Sequence, residues 1–333
     1  MINWRYCSQV FEYGVASISI SLNGILLYLC LYKISKSMKE YKCLLVCGCV
    51  IDLLFTISSA VCQIVIVDHE TKMIFVLESP FLPATHRFVV IATSVYCLVL
   101  YAMIINVVTQ FVNRLNIICL RNRFSIIHVF MFEFVFFCWT TAHCTNIGNV
   151  CDEHNNPATI RELEKNPFFH NSTVPPYIAG DTHKLKMIIQ LIDSQFIITT
   201  AYGIIFYCGW RIQRKLSEDK GILLESTIRS QKRVSKILYV QAIIPIVSVI
   251  FPVGLADFLP LINLSFDYIP IFIRLTIGIT PLLNPLVVLM VIPSFRNSVM
   301  NLIPLNLITT VQPASSELTS GQTVPPRGRL PPI

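Results

Sequence analysis

Seven apolar runs, each about long enough to cross a bilayer, leave this chain little choice of architecture. They cover roughly residues 10–32, 43–67, 88–112, 124–142, 187–210, 237–259 and 268–292. A helix needs about 20 predominantly apolar residues to span the hydrocarbon core, and it suits that medium because it satisfies its own backbone hydrogen bonds. Only 14% of the 333 residues are charged and 54% are hydrophobic, whereas soluble domains carry about 25% charged residues. A water-soluble globule is therefore excluded for want of polar surface. The expected fold is all-α: a seven-transmembrane helix bundle over residues 1–303, then a Ser/Thr/Pro-rich tail at 304–333 of disordered character. The first run is too long for the apolar core of a cleaved signal peptide, so it is expected to be retained as an anchor.

Flanking charge sets the orientation. Lys33, Lys36, Lys39 and Lys42 follow the first run, Arg114, Arg121 and Arg123 follow the third, and eight basic residues lie between Arg211 and Lys236 after the fifth. With those behind the seventh run they make 18 of the 26 Lys and Arg. Cytoplasmic loops carry such an excess, so the N-terminus is expected outside and the C-terminus in the cytoplasm. Asn171-Ser172-Thr173 and Asn263-Leu264-Ser265 match the glycosylation acceptor pattern, and both fall where this topology puts the exterior. Asn171 and Asn263 are the glycosylation candidates. The net charge of +7 thus belongs to loops that face anionic lipid, and no nucleic-acid partner is expected.

Polar residues inside apolar runs are costly and are functional candidates by default. Asp52, Glu133 and Asp193 are of this kind, but they sit on different runs without a pairing motif, so no enzymatic site is indicated. The 12 cysteines lie mostly within apolar runs and show no metal-ligand spacing. No metal and no cofactor are expected. Arg274 stands roughly 8 Å below the start of the seventh run at the helical rise, deep for a loop charge. It is expected either to reach back to the headgroups or to face a polar cluster with Asp257 or Asp193 in an otherwise apolar pocket. Arg274, Asp257 and Asp193 are the ligand-pocket candidates. Pro245 and Pro252 should kink the sixth helix, since each removes a helical hydrogen bond.

Local words then point to a known group. Asn23-Gly24-Ile25-Leu26-Leu27-Tyr28, Tyr41-Lys42-Cys43-Leu44-Leu45, Gln110-Phe111-Val112-Asn113-Arg114, Val240-Gln241-Ala242-Ile243-Ile244-Pro245 and the stretch from Pro281 to Arg296 occur in order across the chain. Together they resemble the nematode chemosensory serpentine receptors of the Str superfamily, with its Str, Srd, Srh, Sri and Srj types and rhodopsin-like architecture. The likeness covers about residues 10–300. Asn113 and Leu115 around Arg114, and Asn284-Pro285 in the seventh helix, depart from the usual pattern. The stretch Pro83 to Val90 offers no cysteine for the bridge that ties the third helix to an external loop in many receptors of this architecture. Cys144 and Cys151 are then free to pair with each other or with Cys7.

The resemblance implies a G-protein-coupled chemosensory receptor. An odorant-like small molecule or a peptide ligand would bind between the outer halves of the helices, and a heterotrimeric G-protein would dock at the inner ends. Arg114 and Asn113, Pro245, Asn284 and Pro285 are the candidates for the switch. The plain alternative is that Arg114 snorkels to the headgroups and only sets topology. Residence in the plasma membrane, in contact with lipid, follows, and a sensory cilium is consistent with the resemblance. The alternative function is a seven-pass ligand-gated channel subunit or a transporter. A transporter should show internal repeats, and none is visible between the two halves.

Overall fold

The computed structural model describes residues 4–33, 42–69, 71–120, 126–166, 168–169, 173–218, 225–262, 264 and 268–302. The tail 304–333 and the acceptor residues Asn171 and Asn263 lie outside them. The chain is mostly helical, and among the described residues seven helices are long and apolar enough to cross a membrane. The spans are Trp4–Tyr32, Lys42–Cys62, His86–Ile118, Ile126–Thr145 with its continuation Ile147–Val150, Leu185–Glu218, a sixth in three pieces, and Ile269–Val291. The first span packs between the second and the seventh, and the third sits at the centre against the second, fourth, fifth and sixth. Many large apolar side chains, among them Val135, Phe196, Phe206 and Val247, remain exposed on the outer surface. That is the surface expected to meet lipid, since a wide apolar perimeter is unfavourable in water.

The sixth span shows what its prolines do. An α-helix over Glu225–Pro245 passes into a π-helical turn, Ile246–Ile250, and resumes as Phe251–Phe258. Pro245 and Pro252 bracket the widened turn, because each lacks the N–H that would hold the regular repeat.

Two stretches depart from the hydropathy reading. The second run was expected to stay helical to Val67, but the helix stops at Cys62, Gln63 takes a positive φ of 47°, and Ile64–His69 is a strand, β1. A hairpin returns it as β2, Lys72–Leu77, and β3, Tyr177–Asp181, joins from the long segment after the fourth span. The order is β1-β2-β3, all antiparallel, with Val65 opposite Val76 and Ile74 opposite Ala179. Ile64-Val65-Ile66-Val67 is β-branched throughout, which favours a strand, and its continuous apolarity reflects burial on both faces. Ile64, Ile66, Met73, Phe75 and Ile178 pack on the helix bundle. Val65, Val67, Ile74, Val76 and Tyr177 pack on Leu163, Phe168 and Phe169, the first of these from the short helix Pro157–Lys165. The sheet and that helix form a two-layered roof over one end of the bundle.

The third span also outruns its apolar window. The helix continues to Ile118, so Arg114 lies inside it rather than at its end, and Gln110, Asn113, Arg114 and Asn116 are all buried. Hydropathy ends the run where these polar residues begin; the helix continues because they face other helices and not solvent.

Candidate functional site

Beneath the roof lies a cavity of about 100 Å³. Ile66, Met73 and Phe75 close it from the sheet, and Tyr96, Tyr101, Leu191, Val253 and Asp257 line it from the third, fifth and sixth spans. Most of its wall is aliphatic or aromatic. The polar atoms are concentrated on one side, where Tyr101 Oη and Ser194 Oγ are 2.7 Å apart and Gln190 Nε2 donates to the His143 carbonyl at 2.9 Å. His143 Nδ1 lies 2.6 Å from Asp193 Oδ2, and Trp139 Nε1 donates to Asp193 Oδ1 at 3.2 Å. Asp193 is thereby spent on joining the fourth and fifth spans. Asp257 does line the cavity, with Oδ2 accepting from Gln195 Nε2 at 2.9 Å.

Arg274 meets neither of those acids, so the expected cluster with Asp257 or Asp193 does not form. Its Nε donates to Glu12 Oε2 at 2.7 Å, and Nη2 lies 2.6 Å from the same oxygen. Nη1 donates to Glu78 Oε2 at 2.5 Å. Glu78 Oε1 in turn lies 2.6 Å from Arg5 Nε, and Ser59 Oγ donates to Glu12 Oε1 at 2.5 Å. Arg274, Glu12 and Glu78 are buried. The network ties the first, second and seventh spans to the segment that leads out of β2. A buried arginine is tolerable only with such partners, because desolvating an unpaired guanidinium is prohibitive. Glu12 carried the signal that found Asp52, an acid inside an apolar run, and it went unread because it sits near a run's edge.

Deeper in the bundle, Asn284 Nδ2 donates to Asp52 Oδ1 at 3.1 Å. Asn23 Nδ2 donates to the Pro281 carbonyl at 3.0 Å. That carbonyl lies four residues before Pro285, so proline removes its helical donor, and Asn23 of the first span supplies one. The sequence gives Asn23-Gly24 the look of a small-residue helix contact; the amide is the part with work to do.

At the far end, Arg114 is fully buried. Its Nε donates to Ser235 Oγ at 3.2 Å, Nη2 donates to the same oxygen at 3.0 Å, and Nη2 also donates to the Gln231 carbonyl. Ser235 and Gln231 belong to the sixth span, so Arg114 holds the third and sixth spans together. Asn113 is buried beside it. Tyr239 seals the same region: its ring meets Phe111 edge-on at 5.6 Å, and its hydroxyl donates to the Gly209 carbonyl at 2.8 Å. A Cβ at Gly209 would sit 3.1 Å from that ring, so the fifth span approaches this closely because the residue is glycine. Pro245 lies on the sixth span, at the start of the π turn. Cys144, Cys151 and Cys7, left open to pair by the sequence, are free thiols, and the first two are buried.

A roofed cavity at one end of a seven-helix membrane bundle, and an arginine clasp between the third and sixth helices at the other, define a receptor of the G-protein-coupled kind. The comparisons agree. A family model described as "Serpentine type 7TM GPCR chemoreceptor Str" matches residues 8–300, and the chain belongs to that family of serpentine chemoreceptors. The curated protein "Serpentine receptor class r-10" of Caenorhabditis elegans is 26% identical over 117 residues, 35% of this chain and 34% of that protein. The match thus spans about a third of the relative's length. Squid rhodopsin superposes with a TM-score of 0.62 over 90% of this chain and 85% of its own, at 15% identity, a likeness of fold alone.

Proposed function

We propose that the chain binds a small external ligand in the cavity under the sheet and transmits its presence to a heterotrimeric G-protein at the Arg114 end. In this reading the sheet end and the N-terminus face the exterior, the Arg114 end faces the cytoplasm, and the bundle resides in the plasma membrane. The observation that carries it is that the third, fifth and sixth spans wall the cavity and also meet at the clasp. A ligand that repacks the cavity wall acts on the sixth span above its π turn, and Arg114 holds that span below it. A cleft of about 420 Å³ opens there between the fifth and sixth spans, lined by Leu216, Ser235, Lys236 and Tyr239. Arg211, Arg214, Lys232 and Lys236 are exposed around it, a basic rim suited to an acidic partner surface.

The test is a ligand panel on cells expressing the full chain, read by second messenger, with Val253→Phe as a cavity-filling control. Responses that vanish in the filled variant and on blocking the G-protein support the reading. An ion current that persists under G-protein block would establish the channel instead.

A further inference from the structure

Residues two apart on a strand share a face, so Asp68 of β1 points to the bundle with Ile64 and Ile66. Ile66 lines the cavity, and so does Met73, the residue paired with Asp68 across the hairpin. Asp68 is only 5% exposed, and neither carboxylate oxygen has a hydrogen-bond partner among the described residues. Asp257 approaches from the sixth span and lines the same cavity, with one oxygen held by Gln195. Burial first, and then the field of Asp257, push the Asp68 carboxyl up to about 8. The buried guanidinium at this end, Arg274, is already committed to Glu12 and Glu78. One buried carboxyl, Asp257, therefore lines the cavity, and a second, Asp68, lies on the bundle face of the roof next to its lining residues Ile66 and Met73; among the described residues neither forms an ion pair.

Buried carboxylates are neutralised either by protons or by a cation. The rest of the cavity wall is largely apolar, so an incoming cation must carry an apolar body. We propose that the cavity takes a small organic cation, a primary ammonium on an aliphatic or aromatic body, whose ammonium sits between Asp257 and Asp68. The inference rests on the cavity being the ligand site. An ammonium has three donors and no acceptor, which suits one oxygen from the roof and one from the sixth span. With one proton retained between the two carboxyls, the assembly of two acids and one ammonium is neutral. The bound cation links the roof directly to the helix that Arg114 clasps at its other end.

The experiment uses the full chain in lipid nanodiscs with n-hexylamine and n-hexanol, two probes of nearly the same shape that differ in charge, read by the shift in thermal unfolding. The amine should bind about ten-fold or more tightly than the alcohol, the worth of a charge-assisted hydrogen bond away from water. Asp68→Asn and Asp257→Asn should each remove that difference and leave the response to hexanol. Equal affinities, no shift with hexylamine, or an amine preference that survives both substitutions would overturn the proposal. The response in Val253→Phe separates the two readings. If both probes bind equally and lose their effect there, the cavity stands and the cation falls; if their effect persists there, the cavity falls as well.

Should the asparagine variants fold poorly, the unmodified chain gives a second measure. Hexylamine stays protonated below about pH 10, whereas its site grows more negative as a carboxyl raised to about 8 loses its proton. Its affinity should therefore climb from pH 6 to pH 8 while that of hexanol stays level; an amine affinity as level as hexanol's overturns the proposal. The titratable or charged groups on the elements packed against β1 include Asp257, Tyr96, Cys97 and Tyr101, Arg274 with Glu12 and Glu78, and His86 and Arg87 in the first turn of the third span, while Arg114 of the third span lies at the far end of the bundle. His69 and Lys72 turn to the outer face of the sheet, toward Glu162 and Glu153.

Discussion

Arg114 Nη2 and Ser235 Oγ are 3.0 Å apart across the interface of the third and sixth spans, with both residues buried. A hydrogen bond from a charged donor is worth about 1.5–3 kcal/mol, and the partner with the smaller side chain is the one to remove. Ser235→Ala keeps the helix and the guanidinium but loosens the clasp. Basal signalling, normalised to surface expression, should rise about ten-fold, the population shift that such an energy supports. If basal signalling stays at the wild-type level while the ligand response is intact, Arg114 does not act as the restraint.

Asn23 and Pro285 should behave as a coupled pair. Asn23→Ala strands the Pro281 carbonyl inside the bundle, at a cost of about 1–3 kcal/mol for a buried unsatisfied group. Pro285→Ala restores the backbone N–H that this carbonyl lacks. The double variant should then be more stable than Asn23→Ala alone, a non-additivity readable in thermal unfolding of the purified chain. Strict additivity would mean that the amide is not the substitute donor.

Both relationships mark where reading the sequence stops. Seven helices follow from run length, because lipid imposes one solution on each run. The sheet does not, because Ile64 to Val67 is as apolar as a helix end and hydropathy is blind to the difference. Arg114 is visible as a charge, but hydropathy equates a guanidinium at the headgroups with one buried between helices. Gln110, Asn113 and Arg114 are spaced to share one helical face, and that face was the available sign of burial. Arg274 stands out in the sequence as deep for a loop charge, while its partners, Glu12 and Glu78, come from positions 262 and 196 residues away. Such pairings depend on which ends of the bundle meet, and only the packed structure supplies that.

Removing Arg274 should cost far more than an exposed charge would. Arg274→Ala leaves Glu12 and Glu78 buried without their shared cation, and breaking a buried pair in this way costs about 3–5 kcal/mol. Surface expression should collapse. Combining Arg274→Met with Glu12→Gln and Glu78→Gln removes the three buried charges together, leaving only the partly exposed Arg5 without its acid, and should recover much of the loss, since a buried pair contributes little net stability over apolar replacements. A triple variant as unstable as the single one would show that the network supplies stability beyond neutralising its own charges.

The roof should loosen in acid. Lys72 Nζ lies 2.9 Å from Glu153 Oε1, and Thr159 Oγ1 donates to the same oxygen at 2.5 Å, so β2 is pinned to the loop and helix above it. Burial alone would raise the Glu153 carboxyl, but the hydrogen bonds from Thr159 and Lys72 and the lysine charge outweigh it and leave it below the usual glutamate range. A depressed folded value means that the unfolded chain binds the proton first. The stabilisation is therefore complete above about pH 5, begins to fade near the unfolded value of about 4.3, and is lost as pH falls through the folded one. Hydrogen exchange at the amides of Lys72–Leu77 and Tyr177–Asp181, corrected for intrinsic rates, should show protection falling in that window. Glu153→Gln should show reduced protection already at neutral pH and a weaker dependence on acid. Equal acid sensitivity in the variant would assign the effect to another carboxylate of the roof.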